Sequence, residues 1–145
     1  MKYLKIVTLL LAISLVGCTS EEDSSMDIRI SINGQVLFED GDDFNGDVDG
    51  DFTGNGGSGS KTFLWRNNLR TADYNADITS TSSGTFNMEV KDSNGKVVLN
   101  RSLRGGTEPD SFSGVTASGS PGIWQVTITL TSFKGDGSFS LSEGD

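Results

Sequence analysis

The sequence has no histidine and a single cysteine, Cys18, among its 145 residues. Without imidazole the chain has neither serine–histidine nor cysteine–histidine catalysis, and with one thiol it forms no internal disulfide. Zinc sites built on imidazole or on several thiolates are excluded for the same reason. The chemistry of the chain therefore rests on the oxygen atoms of Asp, Glu, Asn, Ser and Thr.

Positive charge is also scarce. Eleven Lys and Arg residues face 20 Asp and Glu residues, which gives a formal net charge of -9. A chain this acidic repels phosphate backbones and anionic lipid headgroups. We expect no nucleic-acid partner and no membrane binding through a basic patch.

Long apolar runs are absent except at the N-terminus, where Lys2 and Lys5 precede an apolar run from residue 6 to residue 16. That run is shorter than the roughly 20 residues that a membrane-spanning helix needs, and it has the plan of a secretory signal. Its last residues, Leu15-Val16-Gly17-Cys18, resemble the lipobox of bacterial lipoproteins. The resemblance implies a signal peptide over residues 1–17 and lipidation of Cys18, for example with palmitate. A secretory signal with a chance cysteine is the alternative.

Residues 18–26 are polar and acidic and predict a short flexible tether. Glu21-Glu22-Asp23 is similar to the acidic signal that directs lipoproteins of some Gram-negative bacteria to the outer leaflet of the outer membrane. The resemblance implies a protein held in the outer membrane by its N-terminal lipid and facing the cell exterior. A plain solvated linker explains the same residues.

From Asp27 the apolar residues alternate, and Asn33-Gly34 separates two alternating runs, which predicts a β-hairpin. We assign residues 27–60 to this hairpin and an Asp/Gly-rich segment, and residues 61–145 to a β-sandwich domain. Within the first range, Gly54 to Gly59 match a dinucleotide-binding glycine pattern, but no helix-forming run follows. The glycines predict a loop.

The Asp/Gly-rich segment holds the candidate metal site. Oxygen side chains at alternate positions followed by Gly50 resemble the opening half of an EF-hand or dockerin calcium loop. The resemblance implies calcium as the candidate cofactor, although Gly56 stands where the family has its bidentate acid. The candidate ligands are Asn45, Asp47, Asp49 and Asp51.

The same residues have a second interpretation. Val48, Gly50 and Phe52 share one parity while the aspartates share the other, which is typical of a strand with one solvated acidic face. In that case the carboxylates are surface groups and need no cation.

Beyond residue 60 short alternating runs follow one another, separated by Gly, Asn, Asp and Ser. Asp92-Ser93-Asn94-Gly95 predicts a hairpin turn, and Trp124, Val126, Ile128 and Leu130 predict a central strand. Seven to nine such strands predict an all-β, antiparallel, jelly-roll-like sandwich. Residues 84–141 resemble the pre-peptidase C-terminal type of domain found in secreted bacterial proteins, which implies the same fold.

Aromatic and carboxylate residues decide between the remaining functions. Trp65 and Trp124 share parity with aliphatic neighbours and predict core positions, which leaves Tyr74 and Phe44 as candidates for sugar stacking. We expect a non-enzymatic binding or structural module with a protein partner, stabilised by calcium. A glycan-binding accessory lipoprotein is the alternative. A glycoside hydrolase using Glu89 with Asp92, or Asp73 with Asp77, is a remote one.

Overall fold

The computed structural model describes residues 27–145, in which every element of regular secondary structure is a β-strand. The predicted signal peptide, Cys18 and the predicted tether lie outside these residues. The described range contains no helix long and apolar enough to cross a membrane. Nine strands follow in chain order: β1 (Ile28–Ile32), β2 (Gln35–Val36), β3 (Asp43–Asn45), β4 (Val48–Asn67), β5 (Ala72–Ile78), β6 (Ser83–Lys91), β7 (Val97–Arg104), β8 (Ser111–Val115) and β9 (Gly122–Glu143).

Two long strands organise the sandwich. β4 and β9, of 20 and 22 residues, pair antiparallel along their whole length. The first half of β4 and the second half of β9 form a first sheet in the order β2-β1-β4-β9-β5-β8. Their other halves form a second sheet in the order β3-β4-β9-β6-β7. Every pairing except β3 with β4 is antiparallel, which confirms the predicted fold class.

The two strands change the face that they bury where they pass between the sheets. In β4 the buried side chains have even numbers up to Phe52 and odd numbers from Phe63. In β9 the change falls between Leu130 and Phe133. Register shifts lie between Asn55 and Gly59, and Ser132 has a φ of 46°. One extra residue in a strand moves every following side chain to the other face, so both halves of each strand bury their apolar side.

Aromatic rings join the sheets. Phe52 of the first sheet stacks on Phe86 of the second with ring centroids 4.5 Å apart. Trp65 and Trp124 are 0% exposed and perpendicular at 6.0 Å, which confirms that both belong to the core. Their indole N–H groups donate to the carbonyl oxygens of Gly46 and Ser120, each at 2.8 Å, so neither buried indole donor is left unpaired.

Two local expectations have different outcomes. The Asn33-Gly34 hairpin is confirmed, with φ values of 49° and 81° that fit the positive φ of a two-residue hairpin turn. The loop predicted from the glycines at positions 54–59 is wrong, because these residues lie within β4 and form its bulged corner.

β4 also runs without a break across the predicted boundary between residues 60 and 61, so the N-terminal segment is part of the sandwich.

Asp92 fastens the turn between β6 and β7 to the chain that enters β9. Its Oδ1 accepts the backbone N–H groups of Asn94 and Lys96 at 2.9 and 2.8 Å, and its Oδ2 accepts that of Ser120 at 2.8 Å. The Ser120 N–H is the main cause that lowers the pKa of Asp92 below its ordinary value; burial opposes this, and the Lys96 and Asn94 N–H groups and the Lys96 charge add to it.

We expect Asp92→Asn to lower the melting temperature at neutral pH, because an amide cannot accept all three N–H groups at once. A depressed folded-state pKa stabilises the fold above the unfolded value of about 3.9 and loses that contribution as the pH falls through the folded value. The difference between wild type and variant is therefore expected to shrink in acid. Thermal unfolding from pH 7 to pH 2 measures it, and a constant difference would contradict this role.

A second expectation concerns the close approach of Phe139 to Gly50. A Cβ on residue 50 would lie 2.2 Å from Cζ of the Phe139 ring, well inside van der Waals contact. Overpacking of this kind costs about 1–3 kcal/mol, so Gly50→Ala is expected to reduce the free energy of unfolding by that amount. Thr53→Ala, at an exposed position of the same strand, is the control and should change it by less than about 0.5 kcal/mol. Urea titration of both variants checks the pair.

Candidate binding groove

The outer face of the first sheet carries a regular set of polar side chains. Alternation turns Asp49 and Asp51 of β4, Ser138 and Ser140 of β9, and Asn75 and Asp77 of β5 away from the core. The register then aligns them across the strands. Asp51, Ser138 and Asp77 form one row, and Asp49, Ser140 and Asn75 form the next.

Side-chain size shapes this face into a groove. β9 lies in the middle and carries serine, while both neighbouring strands carry the longer Asp or Asn. The serines therefore form a floor and the two flanking strands form walls, whose Cα rows are about 10 Å apart because strands are spaced at about 4.8 Å. We call this feature the β9 groove. Its main cavity, of about 420 Å³, is lined by the six side chains named above, by Ser111 at the rim, and by Gly50 and the buried Phe139 beneath them.

The groove continues along β9. A second cavity of about 350 Å³ shares Asp51, Asp77 and Ser138 with the first and extends to Asp136 and Thr79. Thr79 Oγ1 donates to Asp136 Oδ1 at 2.6 Å, which fixes that carboxylate at the end of the groove. The two cavities thus follow one another in the direction of the strand.

Most wall groups of the main cavity are free to bind a ligand. Ser138 Oγ donates to Asp77 Oδ1 at 2.6 Å. Asp49, Asp51 and Asn75 are exposed, and their side-chain polar atoms hydrogen-bond to no other group in residues 27–145. The strands fix the backbone positions of these residues, so the groove presents spaced acceptors, and the Asn75 amide as donor, on a rigid support.

The outer face of the second sheet is also polar, but most of its groups bond to one another. Ser60 Oγ lies 3.0 Å from Thr129 Oγ1, and the hydroxyls of Thr62 and Thr127 are 2.9 Å apart. Further along, Asn87 Nδ2 donates to Asn100 and Ser102 at 2.8 and 2.9 Å, and Glu89 pairs with Lys91 at 3.2 Å. The sandwich therefore has one polar face whose groups are mostly paired with each other and one whose groups are mostly unpaired.

The predicted calcium ligands are divided by the fold. Asn45 ends β3 and Asp47 lies in the turn that follows, whereas Asp49 and Asp51 lie in β4 with their side chains in the groove. Asn33 fixes this arrangement, since its Oδ1 accepts the Asp49 N–H at 2.8 Å and its Nδ2 donates to the Asp47 carbonyl at 3.3 Å. The backbone thus follows the strand interpretation of the acidic segment.

Strand geometry spaces alternate side chains by about 7 Å, farther apart than the ligands of one cation. Within residues 27–145 no group of three or more Asp, Glu, His or Cys side chains is placed to hold a metal ion. Calcium binding stays a prediction.

The sugar-stacking candidates are engaged in packing. Tyr74 is half-buried, its ring perpendicular to that of Phe112, and Arg101 Nη1 donates to its hydroxyl at 3.3 Å. Phe44 packs edge-on against Phe63 at 5.6 Å. Neither ring lines the groove. The outward-facing side chains of the groove are polar.

The fold also separates the carboxylate pairs that a glycoside hydrolase would use. Glu89 lies on the outer face of the second sheet beside Lys91, and Asp92 is buried in its turn. Asp73 and Asp77 both lie on β5, but only Asp77 lines the groove.

The residues of the groove floor, Ser138 and Ser140, are not among those that the sequence predicts for a site. Ser138 and Ser140 alternate with the core residues Phe139 and Leu141 in the last strand, and this alternation marks them as outward-facing. Their importance depends on the neighbours that the fold gives them, Asp51 and Asp77 on either side of Ser138. No local pattern in the sequence pairs these three strands.

Comparison with known proteins gives little further information. No protein-family model matches the chain. No curated protein matches it either. Among solved structures, TmCBM61 in complex with β-1,4-galactotriose aligns at 9% identity and a TM-score of 0.34, over 68% of this chain and 61% of that one. An arabinose-bound α-L-arabinofuranosidase, MgGH51, aligns at 17% identity and a TM-score of 0.30, over 67% of this chain and 17% of that one. At these TM-scores the alignments say nothing about what this chain binds.

Proposed function

We propose that this protein is a lipid-anchored, non-enzymatic carbohydrate-binding module of the outer membrane, facing the cell exterior, and that the β9 groove holds the glycan. One observation carries the proposal: the groove walls contain free carboxylate and amide groups on a rigid sheet, whereas most of the equivalent groups of the other sheet bond to each other. Unpaired polar side chains on a backbone that the strands hold in place favour a ligand rich in hydrogen-bond donors.

Sugar hydroxyls meet this requirement. A carboxylate accepts hydrogen bonds from hydroxyl groups, and such charge-assisted bonds are about twice as strong as neutral ones. Asp49 and Asp51 offer such acceptors on one wall, and Asn75 offers both a donor and an acceptor on the other. The two aromatic residues that line the cavities, Phe52 and Phe139, are only 1% and 2% exposed and supply no stacking face. We therefore expect weak binding, with dissociation constants of about 0.1–1 mM.

The groove suits binding better than catalysis. Glycoside hydrolases shield their acid and nucleophile from water and hold them on either side of the scissile bond. Asp49, Asp51 and Asp77 are all exposed, and the groove is open to solvent along the sheet face. We infer that a bound glycan is held and not cleaved.

The anchor keeps the groove close to the cell. Cys18 precedes the first described residue, Asp27, by nine positions. A fully extended chain of that length spans at most about 30 Å. The domain therefore samples glycans next to the membrane surface.

Cys18→Ser is expected to leave the signal peptide uncleaved by the lipoprotein peptidase and to abolish labelling with radioactive palmitate. Protease shaving of intact cells then reports the side of the membrane: wild-type protein should be digested. Replacing Glu21, Glu22 and Asp23 by Ala tests whether the acidic tether directs export. Labelling that survives in Cys18→Ser would refute the anchor, and a protected wild type would place the domain inside.

Asp51→Ala and Asp77→Ala are each expected to weaken glycan binding by about tenfold or more, because each removes a charged acceptor from the groove. The measurement is calorimetric titration of the full-length chain in detergent with a panel of neutral oligosaccharides. Glu89→Ala is the matched control, since it removes a carboxylate from the opposite face of the same sandwich.

Two results would contradict this function. Absence of binding to every glycan of a broad panel would remove it. The second is a melting temperature that rises with calcium in wild type but not in Asp47→Asn or Asp49→Asn. That result would make the acidic segment a metal site instead.

A further inference from the structure

Building on the proposed function, we propose that the β9 groove binds an uncharged polysaccharide lengthwise, along β9, and recognises an internal stretch of it instead of a chain end. The direction of the groove, its open ends and its charge carry this inference.

The direction follows from the order of the cavities. Both are floored by β9, the first by Ser138 and Ser140 and the second by Gly137 and Ser138. From Asp136 to Ser140 the strand advances about 14 Å, at about 3.4 Å per residue. Across the strands the groove is limited to about 10 Å by its walls, so an extended ligand fits along β9 and not across it.

No large outward-facing side chain lines either cavity among the described residues, and the exposed Lys134, the next outward residue of β9 beyond Asp136, lies outside both. At one end the next outward residue of β9 is Ser142, which pairs with Asp73 of β5 and is as small as the rest of the floor. At the other end Asp136 is bonded to Thr79, on the chain just beyond β5, which draws its carboxylate toward that wall. A polymer therefore has room to enter and leave at both ends.

The charge of the groove selects against acidic polymers. Asp49, Asp51, Asp77 and Asp136 contribute carboxylates, and none of the described residues that line the two cavities is lysine or arginine. A ligand carboxylate or sulfate about 4 Å from one of them is repelled by about 1 kcal/mol in water, and the repulsion is screened by salt. Neutral sugars escape this penalty.

A cationic peptide would also be attracted to the groove, but the groove offers no exposed strand edge with which the peptide backbone could pair. Extended peptides bind sheets by pairing with an exposed edge. β9 is paired on both sides along the groove, with β4 and with β5, so its backbone groups are already used. A peptide on this face would be held by side chains alone.

The test uses the full-length chain in detergent and neutral oligosaccharides of one to six units from β-1,3- and β-1,4-linked glucan, galactan and mannan. For the best-bound series we expect affinity to rise at least tenfold from the disaccharide to the tetrasaccharide. Reduction of the chain end with borohydride opens the terminal ring and should leave hexasaccharide affinity unchanged, because five intact rings remain for the groove. Oligogalacturonate of equal length should bind at least tenfold more weakly at low salt, with a smaller difference in 0.5 M NaCl.

A substitution in the floor separates the subsites. Ser140→Gln places a longer side chain in the first cavity and should reduce tetrasaccharide affinity to that of the disaccharide, which still fits the second. Thr129→Gln, an outward position of the same strand on the other sheet, is the control for folding and should bind as wild type does. Thermal unfolding of both variants accompanies the titrations.

The outcomes distinguish the two proposals. If no neutral glycan binds, carbohydrate binding itself fails. If glycans bind but a monosaccharide binds as tightly as the tetrasaccharide, or end reduction abolishes binding, the internal, lengthwise mode is wrong while carbohydrate binding stands. Tighter binding of tetralysine than of any neutral tetrasaccharide would identify the groove as a site for cationic peptides.

Discussion

The rest of the structure depends on the simultaneous change of face in β4 and β9. A strand with strict alternation has one buried side, and a 20-residue strand is too long for one sheet of a small sandwich. The bulge at Asn55 to Gly59 and the left-handed residue Ser132 each shift the alternation by one residue at the same corner. Because both strands shift together, they remain paired while their apolar sides turn from the core face of one sheet to that of the other. All other strands add to the two halves of this pair.

This arrangement also decides what the outer faces present. At every buried position of β4 and β9 the next residue points to solvent, so two polar faces follow from one core. On the second sheet threonine lies opposite serine or threonine, and their hydroxyls are close enough to bond. On the first sheet serine lies between aspartates, and Ser138 has one hydroxyl proton to donate, which it gives to Asp77. Asp51 in the same row is left without a partner among the described residues. The difference between the mostly paired face and the mostly unpaired face thus comes from which residues the register places side by side.

Much of the local structure follows from the sequence. Alternation places Trp65 and Trp124 in the core, and Asn33-Gly34 marks its hairpin, because both signals act over a few neighbouring residues. The glycines of the corner give a misleading signal, since glycine favours loops and bulges alike. These short-range signals do not predict the groove. Asp51, Ser138 and Asp77 are far apart in the chain and meet only through the pairing of β4, β9 and β5. The acidic segment that resembles a calcium loop nevertheless supplies one wall of the groove.

The acidity of the groove needs no cation to explain it. Asp51 and Asp77 lie on strands separated by β9, about 10 Å apart in backbone position, and water screens charges at this distance at physiological ionic strength. The hydroxyl of Ser138 between them lowers the local cost further by bonding to Asp77. Carboxylates that tolerate one another in water gain little from neutralisation, whereas each gains a hydrogen bond from a hydroxyl placed between the walls. The spacing that keeps these charges apart is therefore the spacing that leaves room for a neutral ligand on the serine floor.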